Sequence, residues 1–590
     1  VNKNLRWIFR QWATQKWFIV IMVFFTLLSS AVSIAFPMIF RSLIDILKDL
    51  PAAEILKADP VQYKAAMDKI WRVIMLFLAI GSAQLITGFY PSFRALVNLR
   101  FEHALRLFYF RFIAKKDYRF FQKYRTGDIV TRLTDDLSEF PKISWFLCSG
   151  IFRAFNSFSM IAFSLAVMFS INWKLTLFSI SPLPLMMAVF YLTSDRLYKN
   201  FERNQRAISD INSQLEMSFS GIRIVKAFVS EEKYNRFFDI ALAKRFKTEM
   251  SVVKLNAILH LIYEYIDYFA QIAVILFGGY MAVKGQISVG TFFLFYTYMS
   301  MMIYPLLDLP QLFVSGKQAF VNIDRLEEMK DEPSFCEARQ MGEQLSSFES
   351  LTFQGVDCQY FDKTEPVIRD CSFELKKGER MLILGSTGAG KSTIANMVAG
   401  LVPPNHGSIM VNGTNLDQID LASFREMIGF VPQEPVLFGG SIRHNIGFVS
   451  KDLSNQDYDT AVQASQLKAE IGDFPMKDET IVGSRGLGVS GGQKQRITIA
   501  RALAKKPELL ILDDITASLD AENEEKLWND IDKHYEGISA IVISHRLSTL
   551  RYIDSVLYID SQGHCHKGSY EELVFNNKDY HDFLHEHLKK

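Results

Sequence analysis

The sequence predicts an all-α polytopic membrane domain with six transmembrane helices, followed by an α/β domain built around a phosphate-binding P-loop. Three observations predict it. Long apolar runs fill the chain up to about residue 315 and stop there. From Leu351 onward, short β-like runs alternate with helical patterns, which is the α/β signal. Residues 381–393 read MLILGSTGAGKST, an apolar strand running into a glycine-rich loop. A chain of 590 residues is also too long for one compact domain.

Composition narrows the function classes. Hydrophobic residues make up 49% and charged residues 22%, with 49 Phe, so the chain is not a disordered one. The net charge is +1, from 65 basic and 64 acidic residues, which gives no bulk attraction for nucleic acid. The five cysteines (Cys148, Cys336, Cys358, Cys371, Cys565) show no CxxC and no metal-ligand spacing. An odd, scattered set points to a reducing compartment and away from a disulfide framework or a zinc site. No cleavable signal peptide is evident.

Each span needs about 20 apolar residues. Six stretches qualify: 17–40, 73–93, 143–171, 175–192, 257–283 and 291–314. Loop charge orients them. Lys3, Arg6, Arg10 and Lys16 precede the first span, and the segments between spans two and three and between four and five are strongly basic. Both termini and both long loops are therefore expected in the cytoplasm. Residues 1–16, with Trp7, Ile8, Phe9 and Trp12 among basic groups, are expected as an interfacial elbow helix. The six-helix domain then spans 17–315. The long loops read as helical extensions of the spans, with tips near Thr126-Gly127-Asp128 and Ser220-Gly221-Ile222. Residues 316–345 read as a linker, because they hold Glu327, Glu328, Asp331, Glu332 and Pro333 with few large apolar residues. Residues 346–590 form the second domain.

The glycine-rich loop carries the chemistry. Gly385, Ser386, Thr387, Gly388, Ala389, Gly390, Lys391 and Ser392 match GxxxxGK[ST], with Thr393 next. Glycines let backbone N–H groups curl around phosphates, Lys391 offers its charge to the β- and γ-phosphates, and Ser392 offers a hydroxyl to Mg²⁺. Residues 509–514 read LLILDD, a buried strand ending in Asp513, the carboxylate expected to serve a Mg²⁺ site from the strand's C-terminal end.

Val489-Ser490-Gly491-Gly492-Gln493, followed by Lys494-Gln495-Arg496, resembles the LSGGQ signature with Val for Leu. With the loop, Gln433, Asp513, Ser518-Leu519-Asp520 and His545 in order, the chain resembles an ATP-binding-cassette (ABC) transporter of the exporter type over essentially its whole length. The resemblance implies a half-transporter that binds ATP and Mg²⁺ and exports amphipathic small molecules as a dimer, with a lipid flippase as the alternative. It also implies residue roles. Tyr360 stacks on adenine, with Phe361 as the alternative ring. Gln433 reaches Mg²⁺ and the membrane domain. Ser490, Gly491, Gly492 and Gln493 close on the ATP held by the other subunit, and Asp520 lies across that interface. His545 contacts the γ-phosphate and orients the attacking water. The loop tips become coupling helices. An ATP-gated channel is less favoured, and the six spans oppose a soluble ATPase.

One departure matters. The position after Asp513 usually holds a glutamate that polarises water, and here it is Asp514. A carboxylate one methylene shorter sits about 1 Å too far away, a misplacement that can cost on the order of 10²-fold. This points to a heterodimer in which the partner supplies the glutamate. The retained His545 keeps a homodimer as the alternative. Ser484 also replaces a glutamate common in such exporters. For the transported molecule, His260, Glu264 and Asp267 fall at i, i+4 and i+7 on the fifth span, and Asp308 lies near the end of the sixth. Paired subunits would ring a cavity with carboxylates and favour cationic or zwitterionic amphipaths. Alternatively these groups pair with Arg153 or with the partner and only support packing. The fused arrangement suggests a bacterial inner membrane, with membrane lipids around the spans and no nucleic-acid partner.

Overall fold

The computed structural model describes residues 2–48, 60–138, 142–333, 342–360, 365–450, 453–483, 488–515 and 521–588. Backbone contacts divide the chain into two units, Val1–Ile113 with Gly127–Asp331, and Ala114–Thr126 with Glu332–Lys590.

The first unit is all-helical, and six helices among the described residues are long and apolar enough to cross a membrane. Helix α1 (Asn2–Thr14) is separated by the single residue Gln15 from α2 (Lys16–Lys48). Then come α3 (Pro60–Gly88) and α4 (Tyr90–Ile113). The first long loop holds α5 (Tyr118–Lys123), α6 (Thr126–Leu133) and α7 (Asp135–Ser138). A π-bulge at Phe146–Gly150 enters α8 (Ile151–Ile171). Next are α9 (Trp173–Ile180), α10 (Leu183–Ser220), the short α11 (Ile222–Ala227) and α12 (Glu231–Ala273). A second π-bulge leads into α13 (Gly279–Val283), and α14 (Val289–Asp331) closes the unit.

All six expected spans lie in these helices, and the basic segments are helical extensions of them. Large apolar side chains such as Met168, Leu294 and Phe295 pack between the helices, and hydroxyl and amide groups among them pair with one another, as polar groups in an apolar medium require. Thr26 pairs with the Tyr90 hydroxyl at 2.7 Å, and Ser30 donates to Asn156 at 3.0 Å. Pro37 removes the helical donor for the Ser33 carbonyl. The next carbonyl, Ile34, accepts from the Tyr298 hydroxyl at 2.7 Å. Apolar side chains such as Leu85, Leu192 and Val283 remain exposed on the outside of the unit.

Two boundaries differ from expectation. Residues 316–331 are not linker, because α14 runs unbroken to Asp331. Its continuation buries Ala319, Ile323, Leu326 and Met329, one helical face. The first tip falls earlier than Thr126, since α5 occupies the reversal and Thr126 already begins α6. The segment around α5 belongs to the second unit, where Lys123 pairs with Glu332 at 2.7 Å. At the second tip, Gly221 does separate α10 from α11.

The second unit contains a six-stranded and a four-stranded sheet. Strands β1 (Ser350–Cys358), β2 (Ile368–Lys376), β4 (His406–Val411) and β5 (Thr414–Asn415) form an antiparallel sheet in the order β2-β1-β4-β5. Strands β3 (Arg380–Gly385), β6 (Ile428–Val431), β9 (Leu509–Asp513), β10 (Ser539–Ile543), β11 (Ser555–Ile559) and β12 (Cys565–Gly568) run in the order β12-β11-β3-β10-β9-β6. All neighbours in this sheet are parallel except β11 and β12. Strands β7 (Gly440–Ser441) and β8 (Ile481–Val482) make a small ribbon. The central strands are apolar on both faces, as a parallel sheet covered on both sides demands. Leu382, Leu510, Leu512 and Val542 pack into one core, and Met381, Ile383, Ile511 and Ile541 into the other.

The expectation of no disulfide is overturned. Cys371 on β2 and Cys565 on β12 are bonded across 194 residues, with Cα atoms 5.0 Å apart. The count of scattered cysteines misses this because β2 and β12 become neighbours only in the fold. The Arg369 N–H donates to the Gly563 carbonyl at 2.8 Å in the same seam. Cys148 and Cys358 are buried and free.

Candidate nucleotide site

The parallel sheet brings four separate sequence stretches to one edge. Strands β3, β10, β9 and β6 are adjacent and point the same way. Their carboxyl ends deliver the glycine loop, His545, Asp513 with Asp514, and Gln433. This is where an open α/β sheet binds ligands.

The loop leaves β3 at Gly385 and enters helix α15 (Lys391–Val398). Gly390 has φ +102°, and a Cβ there would stand 2.6 Å from Ile368 Cδ1, so only glycine fits. That turn starts the helix directly beneath the loop's N–H groups. The Lys391 ammonium donates to the carbonyls of Gly385 at 2.8 Å and Ser386 at 2.9 Å. Burial holds its pKa below the usual lysine range, and the Asp514 and Asp513 charges oppose that shift. The Ser392 hydroxyl donates to Asp513 Oδ1 at 3.2 Å. Asp513 is buried, which pushes its pKa above the usual carboxylate range against the pull of Ser392 and Lys391. A phosphate-bound divalent cation would relieve that burial penalty.

The donor set fits Mg²⁺. Ser392 and Asp513 offer hard oxygens, and Mg²⁺ is usually held by one or two carboxylates together with substrate phosphates. Among the described residues no three His, Cys, Asp or Glu side chains cluster into a self-sufficient metal site. Gln433 follows β6 and is exposed.

Asp514 follows directly. Its backbone N–H donates to the Ile543 carbonyl at 2.9 Å, and its φ is +50°. His545 lies two residues past β10 and is exposed. Its turn rests on a buried network that the sequence did not reveal. Glu524 accepts from Thr549 at 2.6 Å and from Ser548 at 3.1 Å, while Ser544 accepts from the Arg546 N–H at 2.9 Å. Glu524 is only 2% exposed. A glutamate on a charged helix looks solvated in sequence, and only the Ser-Thr pair after the histidine hints at a partner.

Tyr360 ends the described part of its loop, and its hydroxyl lies 3.0 Å from Thr393 Oγ1, beside the start of α15. The signature sits apart. Ser490 caps helix α16 (Gly491–Ala504), accepting from the Gln493 N–H at 3.2 Å while Gln493 Oε1 accepts from the Ser490 N–H at 2.8 Å. Among the described residues no hydrogen bond joins 490–493 to 385–393. Asp520, Ser518, Leu519, Ser484 and Phe361 lie outside the described residues.

In the membrane unit, Asp308 is 3.9 Å from Arg153, the packing alternative for that carboxylate. Asp267 accepts from Gln271 at 2.7 Å. His260 and Glu264 are exposed on α12.

Residues 19–306 match the family model of the ABC transporter transmembrane region, and residues 368–517 match that of the ABC transporter. The chain is 30% identical over 460 residues to "Probable multidrug resistance ABC transporter ATP-binding/permease protein YheI" of Bacillus subtilis, covering 78% of each. It is 28% identical over 509 residues to "ATP-dependent lipid A-core flippase" of Syntrophus aciditrophicus, covering 86% of this chain and 83% of the relative. A solved structure described as a bacterial Atm1-family ABC exporter with ATP bound superposes with a TM-score of 0.80 at 22% identity. That match covers 97% of this chain and 98% of the other, and it establishes a shared fold. The chain belongs to the ABC transporter family: it is an integral multi-pass membrane protein that joins the family's transmembrane region to its ATP-hydrolysing domain in one polypeptide.

Proposed function

We propose that this half-transporter exports amphipathic small molecules by alternating access, driven by ATP, as a dimer with a second half-transporter. One observation carries the reading. Lys391, Ser392, Asp513 and Asp514 meet at the carboxyl edge of one sheet, while among the described residues the signature at Ser490 makes no hydrogen bond to that edge. Each chain then supplies half of two composite ATP sites. Lys391 would exchange its loop carbonyls for phosphate oxygens, and the loop N–H groups would hold the remaining phosphate charge. Tyr360 would stack on the adenine. Ser392, Asp513 and Gln433 would hold Mg²⁺, whose charge offsets that of the phosphates. Asp514 and His545 would position the attacking water.

The short Asp514 side chain favours a heterodimer, with the partner contributing a glutamate. Basic loops and termini support a cytoplasmic ATP domain, and the bacterial relatives favour a cell-membrane location. For the cargo, Glu264 and Asp267 leave a preference for cationic amphipaths, whereas Asp308 is occupied by Arg153. The relative named as a lipid A-core flippase supports the second reading, a lipid substrate.

The test is ATP-dependent uptake by inside-out proteoliposomes. A fluorescent cationic dye should accumulate in the vesicles, and a Lys391→Ala form should lose the uptake. Flipping of a headgroup-labelled lipid without dye uptake would replace drug export by the flippase reading.

A further inference from the structure

The chain enters the membrane through a basic cavity that the transport reading does not use. The α1–α2 junction and α4 border an open groove of about 740 Å³, lined by residues 13–18 and by Leu96, Leu99, Arg100, His103 and Ala104. That volume lies within the range of small-ligand sites, about 300–1,000 Å³. Its charged lining is of one sign among the described residues: Lys16 and Arg100 line it, with His103 beside them, and no Asp or Glu does. The nearest acid in sequence, Glu102, is engaged by Arg106 at 2.8 Å. The Arg100 guanidinium lies 4.6 Å from the centre of the Phe18 ring, which fixes its plane against the cavity wall.

Two further features select the ligand. The rest of the wall is apolar and outward-facing, with Trp17 71% exposed, Leu99 64% and Leu96 46%. Thr14 and Gln15 add polar side chains to the same lining. A soluble anion would use the cations and leave the apolar wall bare. A glycerophospholipid uses all three: phosphate on the cations, acyl chain along Trp17 and Leu99, polar headgroup beside Thr14 and Gln15. Basic pockets beside membrane helices at the interface take anionic headgroups for the same electrostatic reason.

We propose that this cavity is a binding site for an anionic glycerophospholipid of the phosphatidylglycerol type, held at the interface where α1 lies, as a resident lipid rather than as cargo. It rests on membrane insertion alone and is independent of what the transporter moves. By fixing Lys16 and Arg100 to one headgroup, the lipid would tie the α1–α2 break to α4.

The test uses the full chain in nanodiscs and reads Trp17 directly. Fluorescence quenching by brominated phosphatidylglycerol is compared with quenching by brominated phosphatidylcholine at equal mole fraction. The Trp17 signal is isolated by subtracting a Trp17→Phe form. The anionic lipid should occupy the site with about tenfold or greater preference, since each basic group contributes several-fold at a membrane surface. A K16Q/R100Q/H103Q form should quench equally with both lipids. A control lacking three exposed basic groups elsewhere, R203Q/K233Q/K247Q, should keep the preference. Equal quenching of the native chain by the two lipids would overturn the proposal and needs no variant. Displacement of the lipid signal by millimolar inorganic phosphate would overturn it in favour of a soluble-anion site, and loss of preference in the control would reduce it to bulk charge.

Discussion

Lys391 and Asp514 show how much of the ATP chemistry rests on single groups. The Lys391 ammonium is already desolvated and sits on two carbonyls of its own loop. Exchanging those contacts for phosphate oxygens needs little rearrangement, so charge is supplied without an ordering cost. In a homodimer, where this loop serves the hydrolysing site, Lys391→Ala should therefore lower ATP turnover by about 10²-fold or more, measured as phosphate release at saturating ATP. Asp514 sits at φ +50°, a conformation that Asp tolerates better than longer side chains because it can bond its own backbone. Asp514→Glu would extend the carboxylate toward the water at a strain cost of about 1 kcal/mol. Turnover should rise by about 10- to 100-fold if reach is what limits it. Tyr360→Ala should raise the KM for ATP by roughly tenfold, the scale of one lost base–aromatic stack, with kcat nearly unchanged.

Helix α14 shows what a single element can hold together. Near its end, the Arg325 guanidinium bonds Asp136 at 2.7 Å and Asp128 at 2.9 Å, and the Arg325 carbonyl accepts from Arg132 at 2.6 Å. Two residues on, Glu327 accepts from Tyr109 at 2.7 Å and from Trp7 of α1 at 3.2 Å. The elbow, α4 and the first loop thus converge on α14. Arg325→Ala would leave Asp136, 3% exposed, without its closest cation. The expected loss is about 2 kcal/mol, less than the 3–5 of a fully buried pair because Arg325 itself is partly hydrated. It should appear as a lower melting temperature of the detergent-purified chain, with Arg325→Lys between the two. The convergence was only half legible in the sequence. The P-loop and the spans could be read because their signals are local: a fixed glycine spacing and runs of about 20 apolar residues. The extension of α14 carried a local signal too, Ala319, Ile323, Leu326 and Met329 at helical spacing, but the surrounding acids made it look like linker. Nothing local could have paired Cys371 with Cys565 or Arg325 with Asp136, because those pairings exist only once distant elements meet.

At the scale of the whole molecule, the proposed function rests on the separation, among the described residues, of the glycine loop from the signature. The glycine loop and Asp513 lie at the carboxyl edge of the sheet, whereas Ser490 opens α16 with its hydroxyl and the Gln493 side chain spent on capping. The exposed N-terminal turn of α16 offers N–H groups to an anion, and among the described residues the glycine loop makes no hydrogen bond to it. In the proposed dimer, a second chain brings its own loop to Ser490 and its own signature to Lys391. If that chain is a copy of this one, both sites contain Asp514. If it is a different half-transporter, the site built from its loop and this signature contains a full-length glutamate. The two cases separate cleanly in nanodiscs. The heterodimer reading predicts that this chain alone turns over ATP no faster than its Lys391→Ala form. Co-purification with a glutamate-bearing half should restore turnover that survives Lys391→Ala in this chain but is lost on Ser490→Ala. Turnover near ~1 s⁻¹ by this chain alone, abolished by Lys391→Ala, would instead make Asp514 a working base and the homodimer sufficient.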